Sequence, residues 1–235
     1  MTGIYGFRAI LMALFYLTVT SEVAYSGTIK GMVIYNGTIT APSPSKTGKY
    51  QSVCGSEIQN ESIIVSKNGL ENTVITLTGI KTKGKPASSA LDQKKCRYEP
   101  HVLVIHKDSE LKIHTSDPIN HNIHTYAFDN DPINLMFTPG QENTYHFDTP
   151  EVIKIECDLH SWMTSWVVVT DNTYFATSKD GGTFEIADIP PGTYSINAWH
   201  EVFGNKTATV TVGDGASEIN FDFSKALPQT QQKNQ

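Results

Sequence analysis

The sequence has little of several features that would place a protein in a class at once. Its 235 residues include only 3 cysteines, too few for a disulfide-built scaffold, and the odd number leaves one unpaired. The net charge of −6 argues against nucleic-acid binding, which needs basic surface. Apolar residues are 39% and charged residues 18%, below globular averages but not low enough to indicate disorder. The length fits one large or two small domains.

Long apolar runs are also absent, and the one short run lies at the N-terminus. Arg8 precedes the apolar stretch Ala9–Val19, and Ala24 and Ser26 are small residues placed for a cut before Gly27. The run falls short of the ~20 residues of a membrane-spanning helix, although an N-terminal anchor is the alternative. We therefore predict that residues 1–26 are a signal peptide. The mature protein would not span a membrane and would be exported to an oxidising compartment.

Strand patterns are what the sequence has in abundance. Alternating or β-branched runs separated by turn residues indicate an all-β protein made of sandwiches or barrels. Ser88–Lys95 is a stretch that could hold a helical turn or two, and the polar tail 225–235 is predicted to be disordered. The predicted strands are Thr28–Tyr35, Thr73–Thr78, His101–His106, Leu111–His114, Ile123–Phe128, Val152–Cys157, Trp166–Thr170, Thr183–Ile186, Thr193–Trp199, Thr207–Val212 and Glu218–Phe223.

A group of metal-binding residue types follows one of these strands. Cys157, His160 and Met163 are three residues apart, so a tight turn would direct all three side chains into one pocket. Thiolate, imidazole and thioether are the ligands of a type 1 copper site with a long axial methionine. Such a site needs a second histidine, which His121 or His124 could supply. These two point to opposite faces of a strand, so only one of them would bind.

Other interpretations of this group fit less well. Zinc takes Cys, His and carboxylate ligands, and methionine is not among them. A dinuclear copper centre would need a second cysteine on the same loop. A cysteine protease would need an exposed thiolate at a cleft, whereas this cysteine ends an apolar strand. The bland alternative is a buried cysteine, a surface histidine and a core methionine without a metal.

The segment Lys154–Val169 resembles the ligand loop of the cupredoxins, the type 1 blue copper proteins. Its Cys-x2-His-x2-Met spacing is that of amicyanin, and His121-Asn122-Ile123-His124 resembles the "HNVH" of the same protein. The resemblance covers roughly Arg97–Thr170. It implies a Greek-key β-sandwich that carries one copper ion, transfers one electron at a time to and from redox protein partners, and is not an enzyme. It also favours a bacterial periplasm.

The same resemblance assigns roles to individual residues. His121, Cys157 and His160 would be the equatorial copper ligands and Met163 the axial one. Asn122 would bond near the cysteine and tie the two ligand loops together. The resemblance implies that the ring edge of His160 reaches the surface and passes the electron. Ser161 and Trp162 would border it, and the indole of Trp162 beside the loop is a departure from the family pattern.

A second domain is indicated by segments outside this region. Asp180–Ile186 and Ile189–Ile196 resemble the carboxypeptidase-regulatory-like (transthyretin-like) sandwich, despite an additional glycine after Asp180. Gly27–Gly37 and Glu71–Gly79 resemble its first two strands. The resemblance implies a seven-stranded sandwich formed by residues 27–79 and 171–224, with the cupredoxin domain, residues 80–170, inserted. The alternative is two consecutive domains, with the N-terminal strands added to the cupredoxin.

The state of two cysteines and an alternative function remain to be considered. Cys54 and Cys96 are the natural disulfide pair in an exported protein if Cys157 binds copper; free thiols or a second metal site with His101 are alternatives. The alternative function is a binding module for a carbohydrate or protein, with a structural or copper-storing cupredoxin domain. Aromatic candidates for stacking on a sugar are Trp199, Tyr194 and Phe203.

Overall fold

The computed structural model describes residues 26–82, 88–107 and 109–229. The predicted signal peptide, residues 1–26, lies outside these ranges except for Ser26. Within them nearly all regular structure is strand, and the one α-helix is four residues long. The predicted all-β class is confirmed.

The strands fall into three successive groups. The first group contains β1 (Gly27–Ile34), β2 (Ser45–Lys46), α1 (Gln51–Cys54), β3 (Glu57–Ile58), β4 (Val65–Ser66), β5 (Gly69–Leu70) and β6 (Val74–Thr78). The second group contains β7 (Ser88–Lys94), β8 (Arg97–Glu99), β9 (Val102–His106), β10 (Glu110–Thr115), β11 (His121–Tyr126), β12 (Asn134–Phe137), β13 (Glu142–His146), β14 (Glu151–Glu156) and β15 (Thr164–Thr170). The third group contains β16 (Phe175–Thr177), β17 (Thr183–Ile189), β18 (Gly192–His200), β19 (Gly204–Val212), β20 (Ala216–Glu218) and β21 (Phe221–Asp222). Short 3₁₀ turns cover Gly48–Tyr50 and Asp180–Gly182.

Except for β2, α1 and β3, the first and third groups build one sandwich together. One sheet has the order β17-β1-β5-β4, with β20 and β21 also paired to β1, and the other has the order β16-β6-β18-β19. Gly31 pairs with Phe184, and Val33 shares a core cluster with Val210. Residues on both sides of 80–170 thus share one sandwich, and the predicted insertion with its bounds stays a prediction. The sheets have six and four strands instead of the seven in total that the resemblance implied, because several strands are too short to leave a periodic pattern.

The second group builds the other sandwich. Its sheets have the orders β13-β10-β7-β8 and β12-β11-β14-β15-β9, and they enclose a core that includes Leu91, Ile113 and Ile155. The interpretation of Ser88–Lys95 as a helical turn is wrong. All of this segment but Lys95 is β7, which lies between β10 and β8 and buries both Leu91 and Gln93.

One segment departs from the predicted domain boundary. Residues 45–58, which the prediction gave to the first sandwich, pack instead on the second: Cys54 and Ile58 lie in its core, and Tyr50 packs against that core. The reason is covalent as well as hydrophobic, because Cys54 and Cys96 form a disulfide with Cα atoms 5.4 Å apart. The predicted pairing of these two cysteines is present.

The additional glycine in the Asp180-Gly181-Gly182 turn has a steric cause. Gly182 has a φ of +70°, and a Cβ there would stand 2.3 Å from the carbonyl oxygen of Val33. It would also stand 2.7 Å from the Cα of Gly69. The turn crosses β1 and β5 at a distance that only glycine permits.

An apolar interface joins the two sandwiches and explains the unbroken valine run of β15. Val167 and Val169 face the core of the second sandwich, while Val168 points outward against Trp199 of the first. Both faces of the strand are therefore buried, which favours a continuous apolar run over alternation. Trp166 reaches the same interface, where its ring meets that of Trp199 edge-on at 5.2 Å.

A buried polar group completes this interface. Glu201 accepts hydrogen bonds from the Trp166 indole, at 2.8 Å, and from Nε2 of His101. Nδ1 of His101 lies 3.1 Å from the carbonyl oxygen of Thr164. With an acceptor at each ring nitrogen, the protonated imidazolium is satisfied on both sides. Burial alone would lower the pKa of His101, but Glu201 and the nearby Glu61 raise it overall.

The C-terminal residues partly depart from the prediction of a disordered tail. Ala226 donates its N–H to the carbonyl of Phe223, and Gln229 donates its N–H to that of Val202 at 2.8 Å. Residues 225–229 are therefore held against the first sandwich, and residues 230–235 lie outside the described ranges. No helix in the described ranges is long and apolar enough to cross a membrane.

The His101–Glu201 pair predicts how stability depends on pH. Because folding raises the pKa of His101, its stabilisation is complete below the unfolded pKa near 6.5 and is lost as pH rises through the higher folded value. We expect the melting temperature to fall over that interval, and Glu201→Gln to remove most of this fall. The measurement is thermal unfolding from pH 6.5 upward. Glu185→Gln, at an exposed pair with Lys30, is the control and should keep the wild-type profile.

Candidate metal centre

Two neighbouring strands place His121 and Cys157 beside each other, because the start of one strand lies next to the end of the other. β11 begins at His121, and β14 ends one residue before Cys157. The two strands are antiparallel, with His124 opposite Glu156. The start of β11 therefore lies beside the end of β14, and two residues distant in sequence become neighbours.

The chain after Cys157 turns tightly back on itself. The N–H of His160 donates to the carbonyl of Cys157 at 3.2 Å, and the N–H of Met163 donates to that of His160 at 2.8 Å. The N–H of Cys157 closes the turn with a 3.2 Å bond to the carbonyl of Met163. All three side chains are buried. We call Cys157–Met163 the ligand turn.

Donor atoms of three side chains converge beside this turn. Nδ1 of His121 lies 3.0 Å from Nδ1 of His160, and Sγ of Cys157 lies 3.6 Å from the latter. The three donor atoms are all within 4.8 Å of one another. Metal–imidazole bonds are about 2.0–2.1 Å long, so two nitrogens on one ion stand about 3 Å apart. The cluster fits a single metal ion.

Hydrogen bonds prepare Cys157 to bind a metal. Its sulfur accepts the backbone N–H of Asn122 at 3.3 Å. Burial alone would raise the pKa of the Cys157 thiol, but hydrogen bonds from both histidine rings and from two backbone N–H groups lower it to about 6. The sulfur is therefore largely thiolate at neutral pH, which is the form that coordinates metals.

A carboxylate that the sequence analysis missed orients His121. Oδ2 of Asp117 lies 2.9 Å from Nε2 of His121, and the same carboxylate accepts the N–H groups of Lys95 and Cys96 at 2.7 Å each. A metal would replace the proton on Nδ1, and the proton that remains on Nε2 would then point to Asp117. Burial alone would raise the pKa of Asp117, but the His121 contact and the two backbone donors lower it. Asp117 precedes His121 by four residues on a turn, a spacing that belongs to no ligand motif.

Asn122 lies between the strands and the ligand turn. Its Oδ1 accepts the N–H of Asp158 at 3.3 Å, and its Nδ2 donates to Asn134 at 2.8 Å and to the carbonyl of Leu135 at 3.3 Å. One side chain thus connects β11, β12 and the ligand turn. The contact with the Cys157 sulfur comes from the backbone of Asn122 and not from its amide.

The rival histidine lies elsewhere. Nδ1 of His124 is 2.9 Å from the carboxylate of Asp158, and its ring stacks on Tyr126. The structure brings His121, and not His124, to the donor cluster. A second grouping of Cys96, Asp117 and His121 offers no thiolate, because the Cys96 sulfur is in the disulfide.

The expectation that His160 is exposed is wrong. Its side chain is 0% exposed, and the ring of Tyr50 meets it edge-on at a centroid distance of 4.3 Å. Trp162 lies 5.2 Å away and donates its indole N–H to the carbonyl of Cys96 at 3.1 Å. The cover exists because the disulfide holds residues 47–58 over the turn. We call this segment the cover segment.

The ring nitrogen Nε2 of His160 is buried and has no hydrogen-bond partner among the described residues. An unpaired buried N–H is costly. If Nδ1 of His160 also lacked a partner, both nitrogens of this buried ring would be without one. Nδ1 at the donor cluster is therefore the atom through which this ring would be held, which agrees with the two facing Nδ1 atoms.

Comparison with known proteins gives matches to parts of the chain. Residues 146–218 match a family model described as polysaccharide lyase family 4, domain II. That stretch runs from the end of β13 through the ligand turn into the first sandwich, so it crosses the interface. No curated protein matches the sequence. The resemblance to carboxypeptidase-regulatory-like domains stays a prediction.

Solved structures match the chain in part, and they include cupredoxins. A copper-containing nitrite reductase from Thermus scotoductus is 16% identical, with a TM-score of 0.34 over 41% of this chain, which spans 25% of that protein. A purple cupredoxin from Nitrosopumilus maritimus is 25% identical, with a TM-score of 0.28 over 31% of this chain and 81% of its own. A reduced amicyanin variant is 22% identical, with a TM-score of 0.33. The match covers 35% of this chain and 82% of the amicyanin chain.

Asp117 gives a direct test of this centre. We expect Asp117→Asn to lower copper affinity about 10- to 100-fold, because the ring of His121 loses the charge that fixes its proton and orientation. The measurement is competition for Cu(I) and Cu(II) with a chromophoric chelator. Asp158→Asn is the matched control, since that carboxylate belongs to the ligand turn but bonds His124, which lies outside the donor cluster. Equal affinity of Asp117→Asn and wild type would contradict the assignment.

Proposed function

We propose that this protein binds one copper ion in a type 1 site and carries single electrons between redox proteins. The observation that carries the proposal is the convergence of the two Nδ1 atoms and the Cys157 sulfur in a buried cluster. His121, Cys157 and His160 would hold the metal equatorially. Met163, which lies buried in the same turn, would be the axial ligand.

The chemistry of the donor set favours copper. Two imidazoles, a thiolate and a nearby thioether suit copper, whereas zinc sites use no thioether. Copper would supply a reversible change between its +1 and +2 states, and so a place for one electron. The cluster is shielded from water, and its polarity is set by surrounding apolar side chains such as Ile155 and Phe137.

The residues of this chain would keep the site rigid while its charge changes. The three backbone bonds of the ligand turn fix Cys157, His160 and Met163 relative to one another. Asp117 holds the His121 ring, and Asn122 joins the turn to the neighbouring strands. A site held in this way rearranges little when an electron arrives, which keeps electron transfer fast.

We propose a carrier and not an enzyme. The support is burial: His121 and His160 are 0% exposed, Met163 is 1% and Cys157 is 3% exposed. A substrate would have to displace the cover segment to reach a metal held by these groups. Electrons need no such access.

Export to a bacterial periplasm is part of the proposal. The Cys54–Cys96 disulfide supports it, because disulfides persist in oxidising compartments. The partners would be proteins, since a net charge of −6 disfavours nucleic acid.

The same burial favours one second candidate, an exported binding module whose cupredoxin domain stores copper. A carrier is expected to present a ligand edge to its partner, and His160 does not. A carbohydrate ligand has little support, since Trp199 and Phe203 are 7% and 2% exposed and Trp199 packs on Trp166. Tyr194, the third candidate, is half-buried, and its hydroxyl donates to the carbonyl of Pro190. A protein ligand is therefore the form of this candidate that we retain.

Absorption and EPR spectra of the Cu(II) protein test the proposed centre. We expect an intense blue band and a narrow copper hyperfine splitting, both lost in Cys157→Ser and in His121→Ala. His124→Ala is the control and should keep both signals, because that ring points away from the cluster. A colourless protein whose ordinary copper signal is unaffected by Cys157→Ser would refute the proposal.

Stopped-flow kinetics separate the carrier from the copper store. The Cu(II) form of a carrier should accept an electron from a small complex such as hexaammineruthenium(II) much faster than it loses copper to excess chelator, because the metal stays in place. A store should release copper on the time scale of its redox reaction. Removing the Tyr50 ring in Tyr50→Ala should accelerate copper loss in either case. This variant therefore tests whether the ring controls copper release, and not which of the two functions is correct.

A further inference from the structure

The cover segment raises the question of where a redox partner could approach the metal. The Tyr50 ring closes the His160 edge, and the segment that carries it is tied down by the disulfide. No partner can touch the His160 ring without displacing this segment. Another surface near the cluster must then serve, if the protein is a carrier.

The other side of the cluster is connected to the surface through Asn122. Its backbone N–H bonds the Cys157 sulfur, and its side chain bonds the carbonyl of Leu135. In the strand register, Asn122 pairs with Met136. A path of covalent and hydrogen bonds thus leads from the sulfur to β12. A second path runs along the chain from Cys157 to Leu159, two residues later.

These paths end at exposed apolar side chains. Leu135 and Met136 are each 47% exposed, and Leu159 is 41% exposed. Leu135 and Met136 face opposite sides of β12, the edge strand of its sheet, and both side chains stay partly exposed. We call Leu135, Met136 and Leu159 the β12 surface. Asp158 precedes Leu159 in the chain and bonds His124 of β11 and Asn134 of β12. It therefore links Leu159 to β12.

The charge of this region indicates what would bind there. Asp158 has a side chain that is 48% exposed, and the whole chain carries a net charge of −6. One acidic group beside an apolar surface, on a chain of net negative charge, complements an apolar surface with a basic border. Attraction between opposite net charges would also speed the encounter.

We propose that the β12 surface is the docking site for a basic redox protein, and that electrons pass there instead of through the His160 edge. This inference rests on the proposed function. In the reaction, one electron leaves the reduced partner and enters the metal site, and no proton is transferred. The oxidation number of the partner rises by one, and that of the metal site falls by one.

The test uses the full mature copper protein and a ferrous, basic c-type cytochrome as probe. We expect Met136→Lys to slow electron transfer about tenfold or more at low ionic strength, because it places a positive charge against a basic partner. Phe128→Lys is the matched control. Its side chain is 93% exposed, it adds the same charge, and it lies past the opposite end of β11 from His121. It should change the rate little.

The outcomes are distinguishable. Equal rates for Met136→Lys and Phe128→Lys would overturn the docking site. So would a large rate increase in Tyr50→Ala with no effect of Met136→Lys, which would assign the route to His160. A wild-type dimer that Met136→Lys dissociates would show that a second copy covers the surface, which also overturns the proposal. If wild type lacks the blue band, the proposed function fails, and this inference fails with it.

Discussion

The carboxylate of Asp117 joins the donor cluster to the disulfide. It accepts hydrogen bonds from His121 on one side and from the N–H groups of Lys95 and Cys96 on the other. Lys95 and Cys96 both have positive φ, 50° and 57°, so their N–H groups point together around a tight turn. A buried carboxylate without these donors would be costly. The position of His121 therefore depends on a turn that precedes it by about 25 residues in the chain.

The same turn controls the second histidine from the other side. Cys96 is bonded to Cys54, and the segment that carries Cys54 places Tyr50 over His160. The carbonyl of Cys96 also accepts the indole N–H of Trp162. One turn thus fixes the orientation of one imidazole and the enclosure of the other. Its consequence is a dry, rigid donor cluster, and also a closed His160 edge. Rigidity and closure have one structural cause, and the proposed docking surface away from His160 rests on that closure.

Much of the centre could be predicted from the sequence, because a ligand turn is local. The spacing of Cys157, His160 and Met163 needs only a strand and a tight turn to place three side chains together, and the structure has both. The cover by Tyr50 could not be predicted, since it depends on a contact across more than 100 residues. β7 was missed because its buried Gln93 looks like a surface residue. Gln93 is satisfied inside the core by Thr115 and by the carbonyl of Asn122, partners that only the fold supplies.

The attached sandwich gains a physical role from the interface. β15 starts at Thr164, directly after Met163, so its position sets where the ligand turn ends. The Thr164 carbonyl is held by His101, and His101 is held by Glu201 of the first sandwich, which also binds the Trp166 indole. These contacts brace the residue that directly follows the ligand turn. An electron carrier gains from such bracing because a ligand set clamped at both ends reorganises less than one on a free loop. The first sandwich can therefore serve the metal centre without binding anything itself.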